Sequence, residues 1–294
     1  MQAYCLFGGG LIVGPLSDTF GPRILLWGGS FLHSFGLFMT SLADEYYQII
    51  LAQGLCSGIG TAMLFYPTVA CILSWFHKKR GSAVGLAASG AGLGGIFFSL
   101  IVREMSVEGS GWTMRTSAFL VLLLGVVACL TITSRVPPAP KKVSKDDIMA
   151  CFKDTTYCLV VASGAASFSS IWIILTFIVS TAISRGVDAD WSFYLVPNLN
   201  AASVFGRIIP GFLADRYTGI FTMFLLMSVV STLSMACLWI PVSGQAGMIV
   251  FSILFGLASG ALNALSPVCV AQVSDMKTMG LRTGLCYSIT GISW

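Results

Sequence analysis

Charge is scarce in this chain. Only 10% of its 294 residues are charged, where a soluble domain carries about a quarter. That is too little to coat a water-exposed surface, and it excludes an ordinary globular domain of this length. Histidine is scarcer still, at two residues. The nine cysteines are scattered as singles without metal-ligand spacing. They read as small apolar residues of membrane helices, and no metal site is expected. No Asn-x-Ser/Thr acceptor occurs. No basic run is interleaved with aromatics, so nucleic acid is a poor partner. The apolar stretches hold no paired acids, metal cluster or Ser–His pair of the kind intramembrane hydrolysis needs, which argues against an enzyme and leaves no call for a cofactor.

What the chain has in plenty is apolar surface, with 56% hydrophobic residues and 32 glycines. Ten apolar segments follow one another: Gln2–Leu16, Ile24–Leu42, Gln48–Phe76, Ser82–Val102, Thr113–Ser134, Tyr157–Ala182, Phe193–Ala214, Ile220–Ile240, Ala246–Val273 and Leu281–Trp294. Most reach the ~20 residues needed to cross a hydrocarbon core of ~30 Å. Backbone groups in lipid must bond internally, and no period-two alternation is present, so the segments are helices and not barrel strands. The expected fold is all-α and polytopic, with the lipid bilayer as its solvent. The first and last segments are short, about 22 Å in the case of Gln2–Leu16. No basic n-region or cleavage site marks a signal peptide. The expectation is that the chain lacks the start of its first helix and the end of its last.

Charge placement orients the segments. Arg23, then Lys78, Lys79 and Arg80, then Arg135, Lys141, Lys142, Lys145 and Lys153, then Arg216, and finally Lys277 and Arg282 fall in alternate breaks. The other breaks hold Arg103, Arg115 and Arg185 beside Asp44, Glu45, Glu104, Glu108, Asp188 and Asp190. By the positive-inside rule the first set faces the cytoplasm. The one long polar connection is Val136–Thr156, whose prolines stop the preceding helix. It divides the chain into residues 1–135, a helical bundle lacking its first helix, the central cytoplasmic loop 136–156, and residues 157–294, a bundle lacking its last helix.

The halves are alike. GPLSDTFGPR at Gly14–Arg23 recurs, weakened, as GFLADRYTG at Gly211–Gly219, each after an apolar stretch. GLCSGIG at Gly54–Gly60 resembles GLASGAL at Gly256–Leu262, and each is followed by a mid-helix proline, Pro67 and Pro267. One Gly-x-x-x-Gly would be weak evidence, because that spacing is common wherever membrane helices touch. Several features at nearly one interval indicate an internal repeat, and repeat-built membrane proteins are mostly secondary transporters.

With these motifs in view the chain resembles the major facilitator superfamily. GPLSDTFGPR is similar to that family's cytoplasmic loop motif and GFLADRYTG to its second-half copy. WFHKKRGSAVGLAASGAGLGG at Trp75–Gly95 resembles the monocarboxylate-porter branch. NAASVFGRIIPGFLADR at Asn200–Arg216 and LRTGLCYSI at Leu281–Ile289 are most similar to its fungal members. The resemblance implies a two-bundle fold of twelve helices, about ten of them present here. It implies alternating access in a plasma or organellar membrane, with Gly14, Asp18, Arg23, Gly211, Asp215 and Arg216 holding an inner gate. Ordinary charged loop residues facing water are the alternative. The glycine-rich GAGLGG at Gly90–Gly95 lies inside an apolar segment, where helix packing is the better reading than a nucleotide loop.

Arg207 is the sharpest chemical feature. It lies eight residues before Asp215, so about 12 Å inside the cytoplasmic end of its helix. A deep arginine needs a partner, and none of the twelve Asp and Glu residues lies deep in a segment. The partner is then a small organic anion gripped in a bidentate fork, or else backbone carbonyls and Asn or Ser side chains. Asn200, Ser203 and Arg207 share a helical face, which reads as a cavity stripe or a helix–helix seam. Tyr66, Trp172 and Asn263 are weaker lining candidates. Better-known animal members of the branch carry an acid where this chain has Ser203, which cannot shuttle a proton at physiological pH. His33, alone in an apolar segment, reads first as a packing residue. The function expected is transport of a small organic anion, a monocarboxylate-like solute or an acidic metabolite. The alternative is a truncated or solute-sensing protein of the same fold that does not transport.

Overall fold

A computed structural model of the chain describes residues 1–76, 78–105, 109–133, 145–241, 244–274 and 279–292. Every regular element among them is helical, as the apolar runs require. In order they are α1 (Gln2–Gly8), α2 (Gly10–Phe20), α3 (Pro22–Thr40), α4 (Tyr46–Ile49), α5 (Ser57–Trp75), α6 (Arg80–Met105), α7 (Ser110–Thr131), α8 (Lys145–Lys153), α9 (Thr155–Ser184), α10 (Ala189–Leu213), α11 (Ile220–Ser234), α12 (Gln245–Gln272) and α13 (Met279–Ile292). Wider π-helical turns extend α10 over Ala214–Thr218 and α11 over Met235–Trp239, and one at Ile50–Cys56 joins α4 to α5. Six of these helices, among the described residues, are long and apolar enough to cross a membrane. The 25-residue α10 is not in that set; it carries Asn198, Asn200 and Arg207. The chain is a multi-pass membrane protein, and its outer surface shows this: Phe31, Leu86, Leu123, Leu159, Phe205 and Leu225 are all exposed.

Helix ends follow local chemistry. Pro22 opens α3 at the position where a missing N–H is harmless. Glu45 and Gln48 form a reciprocal capping box at the start of α4. Both copies of the repeated motif end at a glycine in a conformation closed to other residues, Gly21 at φ 80° and ψ 158° and Gly219 at φ 80° and ψ 155°. The repeated motif is therefore not a polar break. It forms the last turns of α2 and α10, and the break is the glycine that follows. Residues 134–144 of the central loop, with Arg135, Lys141 and Lys142, lie outside the described residues, as do Lys277 and the side chain of Asp18.

The chain packs as two compact units. One comprises Met1–Trp75, Ile101–Ala165 and Val270–Trp294; the other comprises Phe76–Leu100 and Ala166–Cys269. Packing thus groups most of α6 with the second half of the sequence and α13 with the first. In the first unit α1, α2, α5 and α13 meet around Phe7, Phe65, Tyr66 and Tyr287, whose rings lie 5.2–6.1 Å apart in stacked and edge-on pairs. In the second, Ile171, Ile174 and Ile178 of α9 pack with Leu195 and Leu199 of α10 and with Met248, Phe251 and Phe255 of α12.

The sequence repeat reappears as a packing repeat. In the first unit a Cβ on Gly14 would lie 2.9 Å from the Gly280 carbonyl oxygen, and Gly284 presses on the carbonyl of Gly10. In the second, a Cβ on Gly211 would lie 2.6 Å from the Gly81 carbonyl oxygen, and Gly85 presses on the carbonyl of Arg207. Each unit thus has a helix pair, α2 with α13 or α10 with α6, that crosses backbone to backbone at two glycine contacts a turn apart. Only residues without side chains permit so close an approach. Gly10 and Arg207 occupy equivalent places in the two grids.

Candidate functional site

The second unit holds the polar stripe. Arg207 sits in α10 where α6 comes closest, and its Nη1 donates a 2.6 Å hydrogen bond to the carbonyl oxygen of Ala88. Its Nε is buried without a hydrogen-bond partner. No acidic side chain among the described residues pairs with it. Of the two partners open to Arg207 from sequence, a backbone carbonyl is present in the structure. Ser203, only 3% exposed, turns its hydroxyl to the carbonyl of Asn200 at 2.8 Å on its own helix. Asn200 lies against α6, its side-chain Cγ 2.7 Å from where a Cβ on Gly95 would stand. The three residues therefore line the seam that α10 forms with Gly85, Gly92 and Gly95 of α6. Asn263, on α12, donates to the Ser259 carbonyl at 3.1 Å within its own helix. α12 reaches the same stretch of α10, since Gly256 presses on the Leu199 carbonyl and Gly260 on that of Ser203.

Tyr66 belongs to the other unit. It is buried, and its hydroxyl donates 2.9 Å to the carbonyl of Phe7, just before the hitch at Gly9 that separates α1 from α2. The Ser288 hydroxyl of α13 donates to the same oxygen at 3.1 Å. The bonding of Tyr66 is thus to its own bundle's backbone.

The gate motif resolves into separate contacts. Among the described residues Asp215 pairs with no basic side chain. Its carboxylate caps the start of α6, accepting hydrogen bonds from the backbone N–H of Gly81 at 3.0 Å and of Ser82 at 2.6 Å, and from the Ser82 hydroxyl at 2.7 Å. The π-helical turn Ala214–Thr218 carries it. Arg216 is exposed and lies 5.3 Å over the ring of Tyr217. Arg23 is exposed at the start of α3 and donates from Nε to the Ile132 carbonyl at the end of α7. The Trp75 indole donates to the neighbouring Thr133 carbonyl at 2.9 Å. A cation there suits the negative end of the α7 dipole.

Two further polar groups stand apart from the candidate site, and the sequence reading missed the first. Arg282, at the start of α13, donates from Nη1 to Asp154 at 3.0 Å and to the Val273 carbonyl at 2.6 Å. Its guanidinium stands 5.1 Å from the Tyr157 ring centroid, and the Tyr157 hydroxyl returns a 2.7 Å bond to the Arg282 carbonyl. Asp154 also caps α9 through the N–H groups of Thr156 and Tyr157. The Tyr157 amide, followed by Arg282, holds the Asp154 carboxyl below the usual carboxylate range. An Asp directly before Thr155 is a legible helix-start signal; its partner far along the chain is not. The second group lies in the first unit, where His33 Nδ1 shares a 2.7 Å hydrogen bond with the Ser57 hydroxyl, which also takes one from Gln2. His33 is thereby the hydrogen-bonded packing residue its setting suggested.

Long apolar helices, crossed at glycine contacts repeated in two units, with a deep arginine bonded to a backbone carbonyl, define a multi-pass helical membrane fold. The model of the Major Facilitator Superfamily matches residues 3–294, and the chain belongs to that family. It is 42% identical over 293 residues to "MFS-type transporter 1" of Ophiocordyceps sp. (strain BCC 1869), covering 99% of this chain and 65% of that protein. It is 38% identical over 295 residues to the "Fujikurins efflux protein" of Gibberella fujikuroi, covering 99% and 63%. The chain thus spans a little under two thirds of the length of these curated relatives. In fold it is similar to the crystal structure of the human organic anion transporter MFSD10 (TETRAN), with a TM-score of 0.78 at 13% identity over 99% of this chain and 73% of that one.

Proposed function

We propose that this chain is the membrane body of a secondary transporter of the monocarboxylate-porter-like branch, carrying a small organic anion by alternating access, with Arg207 meeting the anion's charge. The observation that carries the reading is the bonding of Arg207. A guanidinium deep in a membrane helix has a single carbonyl partner, a buried Nε without one, and no acid paired with it among the described residues. A carboxylate would supply the missing acceptors and the missing charge at once. Asn200, Ser203 and Asn263 flank the same stretch of α10 and offer polar contacts beside it. Tyr66 acts on the other bundle as a support for its helix hitch. Gly14, Arg23, Gly211, Asp215 and Arg216 serve the inner gate as helix-packing and helix-end residues, and Asp18 joins them by its place in the motif alone. Relatives named for efflux favour export of an acidic metabolite over uptake. The plasma membrane is the natural site of such export.

The test measures binding and flux of labelled carboxylates in vesicles, with and without a pH gradient, for wild type, Arg207→Lys and Arg207→Ala. Lysine keeps the charge and loses the planar fork, so affinity should fall by about tenfold or more while the fold survives. Alanine should abolish anion binding. Unchanged carboxylate affinity in Arg207→Ala would reject the role. Binding without flux in wild type would favour the second reading, a solute-responsive protein of the same fold.

A further inference from the structure

In the first unit a small cavity lies where α2, α5 and α13 meet. Gly14 and Ser17 of α2 line it, with Tyr66 among the side chains of α5 and Met279, Gly280 and Thr283 of α13, and its volume is about 10 Å³. That is room for about one water molecule. Gly14 and Gly280 are also the pair whose backbones close the crossing of α2 with α13. The cavity therefore sits directly beside that closure, at the end of the bundle marked by Arg23 and Arg282.

Three hydroxyls line the cavity, and they differ in what they bond. Tyr66 donates to the Phe7 carbonyl. Ser17 donates to the Gly14 carbonyl at 2.7 Å, which leaves its oxygen free to accept. Thr283 is only 5% exposed, and its Oγ1 is buried without a hydrogen-bond partner among the described residues. A threonine inside a helix commonly returns its hydroxyl to the carbonyl four residues back, as Thr290 does to Cys286 at 2.7 Å in this same helix. For Thr283 that acceptor is the carbonyl of Met279, also within α13, and the hydroxyl does not take it. A hydroxyl held away from every protein acceptor inside a helical bundle is costly unless something in the cavity bonds it. An apolar cavity stays dry, whereas a cavity with polar partners and room for a water holds one.

From this geometry we propose that the cavity is a water site: one water accepts a hydrogen bond from Thr283 and donates one to Ser17, tying α13 to α2. No charged side chain lines the cavity among the described residues, so its occupant is neutral, and its size admits nothing larger than water. The glycine contacts hold the two helices by shape alone. The water adds a polar tie across the same crossing, and that tie exists only while the helices are closed. The proposal does not depend on Arg207 or on what the transporter carries.

The test uses the full chain in detergent and water itself as the probe. A brief X-ray pulse turns bound water into hydroxyl radical in place, and mass spectrometry reads oxidation of the nearest methionine. Met279 lines the cavity and is only 6% exposed; Met248 is fully buried in the second unit and serves as the dry reference. Met279 should oxidise several times faster than Met248 in wild type. Equal, slow rates would show a dry cavity and overturn the site. Thr283→Val keeps the shape and removes the hydroxyl, so the Met279 rate should drop to that of Met248. Thr283→Ser keeps the hydroxyl and should keep the fast rate. A fast rate in the valine variant would trace the radical to bulk solvent, and a slow rate in the serine variant would remove the hydroxyl from the account; either overturns the proposal. Thermal melts give a sign that separates the two pictures. With water bound, Thr283→Val loses a hydrogen bond and should melt about 2–4 °C lower. In a dry cavity the same change relieves an unsatisfied hydroxyl, so a melting point unchanged or raised would overturn Thr283 as the holder of the water.

Discussion

Replacing Asp215 by alanine tests the packing account at one point. The carboxylate satisfies the amides of Gly81 and Ser82, two donors in the first turn of α6 that have no partner within their own helix. Removing such a cap costs about 1 kcal/mol. The charge also sits at the positive end of the α6 dipole, which adds about 0.5–1 kcal/mol. The Ser82 hydroxyl, the third donor, can turn to water and adds little. The sum is about 2 kcal/mol of local opening free energy, or roughly a 30-fold faster hydrogen exchange at residues 81–83. Asp215→Asn keeps one acceptor oxygen and loses the charge, so about fivefold is expected. Exchange read by mass spectrometry on peptides covering Arg80–Val84 gives the number, with peptides from the middle of α12 as an internal control. Wild-type exchange at residues 81–83 in the alanine variant would refute the cap. Equal acceleration in α12 would refute its local character.

Gly211→Ala and Gly14→Ala should each lower stability by about 1–3 kcal/mol, because the new methyl stands 2.6 Å and 2.9 Å from a facing carbonyl oxygen; thermal melts of the detergent-purified protein check this, and two wild-type melts would count against the glycine contacts. Tyr66→Phe removes one of two hydroxyls on the Phe7 carbonyl and should cost about 1 kcal/mol in the same assay, with Ser288 holding the remaining bond. The Asp154 carboxyl titrates below its ordinary value of 3.8, so its contribution to stability is present above that pH and is lost as pH falls through the depressed folded value. Arg282→Gln should raise that value toward the ordinary one, so the stability that melting curves show to be lost between pH 7 and pH 3 should be smaller than in wild type.

Spans and repeat were readable because lipid leaves a helix few alternatives: each apolar run had to bond its own backbone. The depth of Arg207 was readable for the same reason, as a count of residues from Asp215. Its carbonyl partner on Ala88 was foreseen only as a class, since a backbone acceptor carries no mark in a sequence. What exposes that carbonyl is how closely α6 and α10 cross, and this depends on Gly85 and Gly92 lying opposite α10. The motif ends were misread as loops because Ser17, Asp18, Asp215 and Arg216 are polar, whereas the backbone stays helical until Gly21 and Gly219. The Arg282–Asp154 link escaped because its partners are 128 positions apart and neither sits in a repeated motif.

The glycine grids also say where a duplicated scaffold can diverge. Position 10 and position 207 were interchangeable by geometry, yet only one of them has room for a side chain. A Cβ at Gly10 would meet the Tyr66 hydroxyl at 2.5 Å and the Gly284 carbonyl at 2.7 Å. The tyrosine that props the hitch between α1 and α2 thereby forbids a second arginine at the matching place. The matched place in the first unit therefore stays without an arginine, and the two halves cannot trade roles by point substitution at this pair alone.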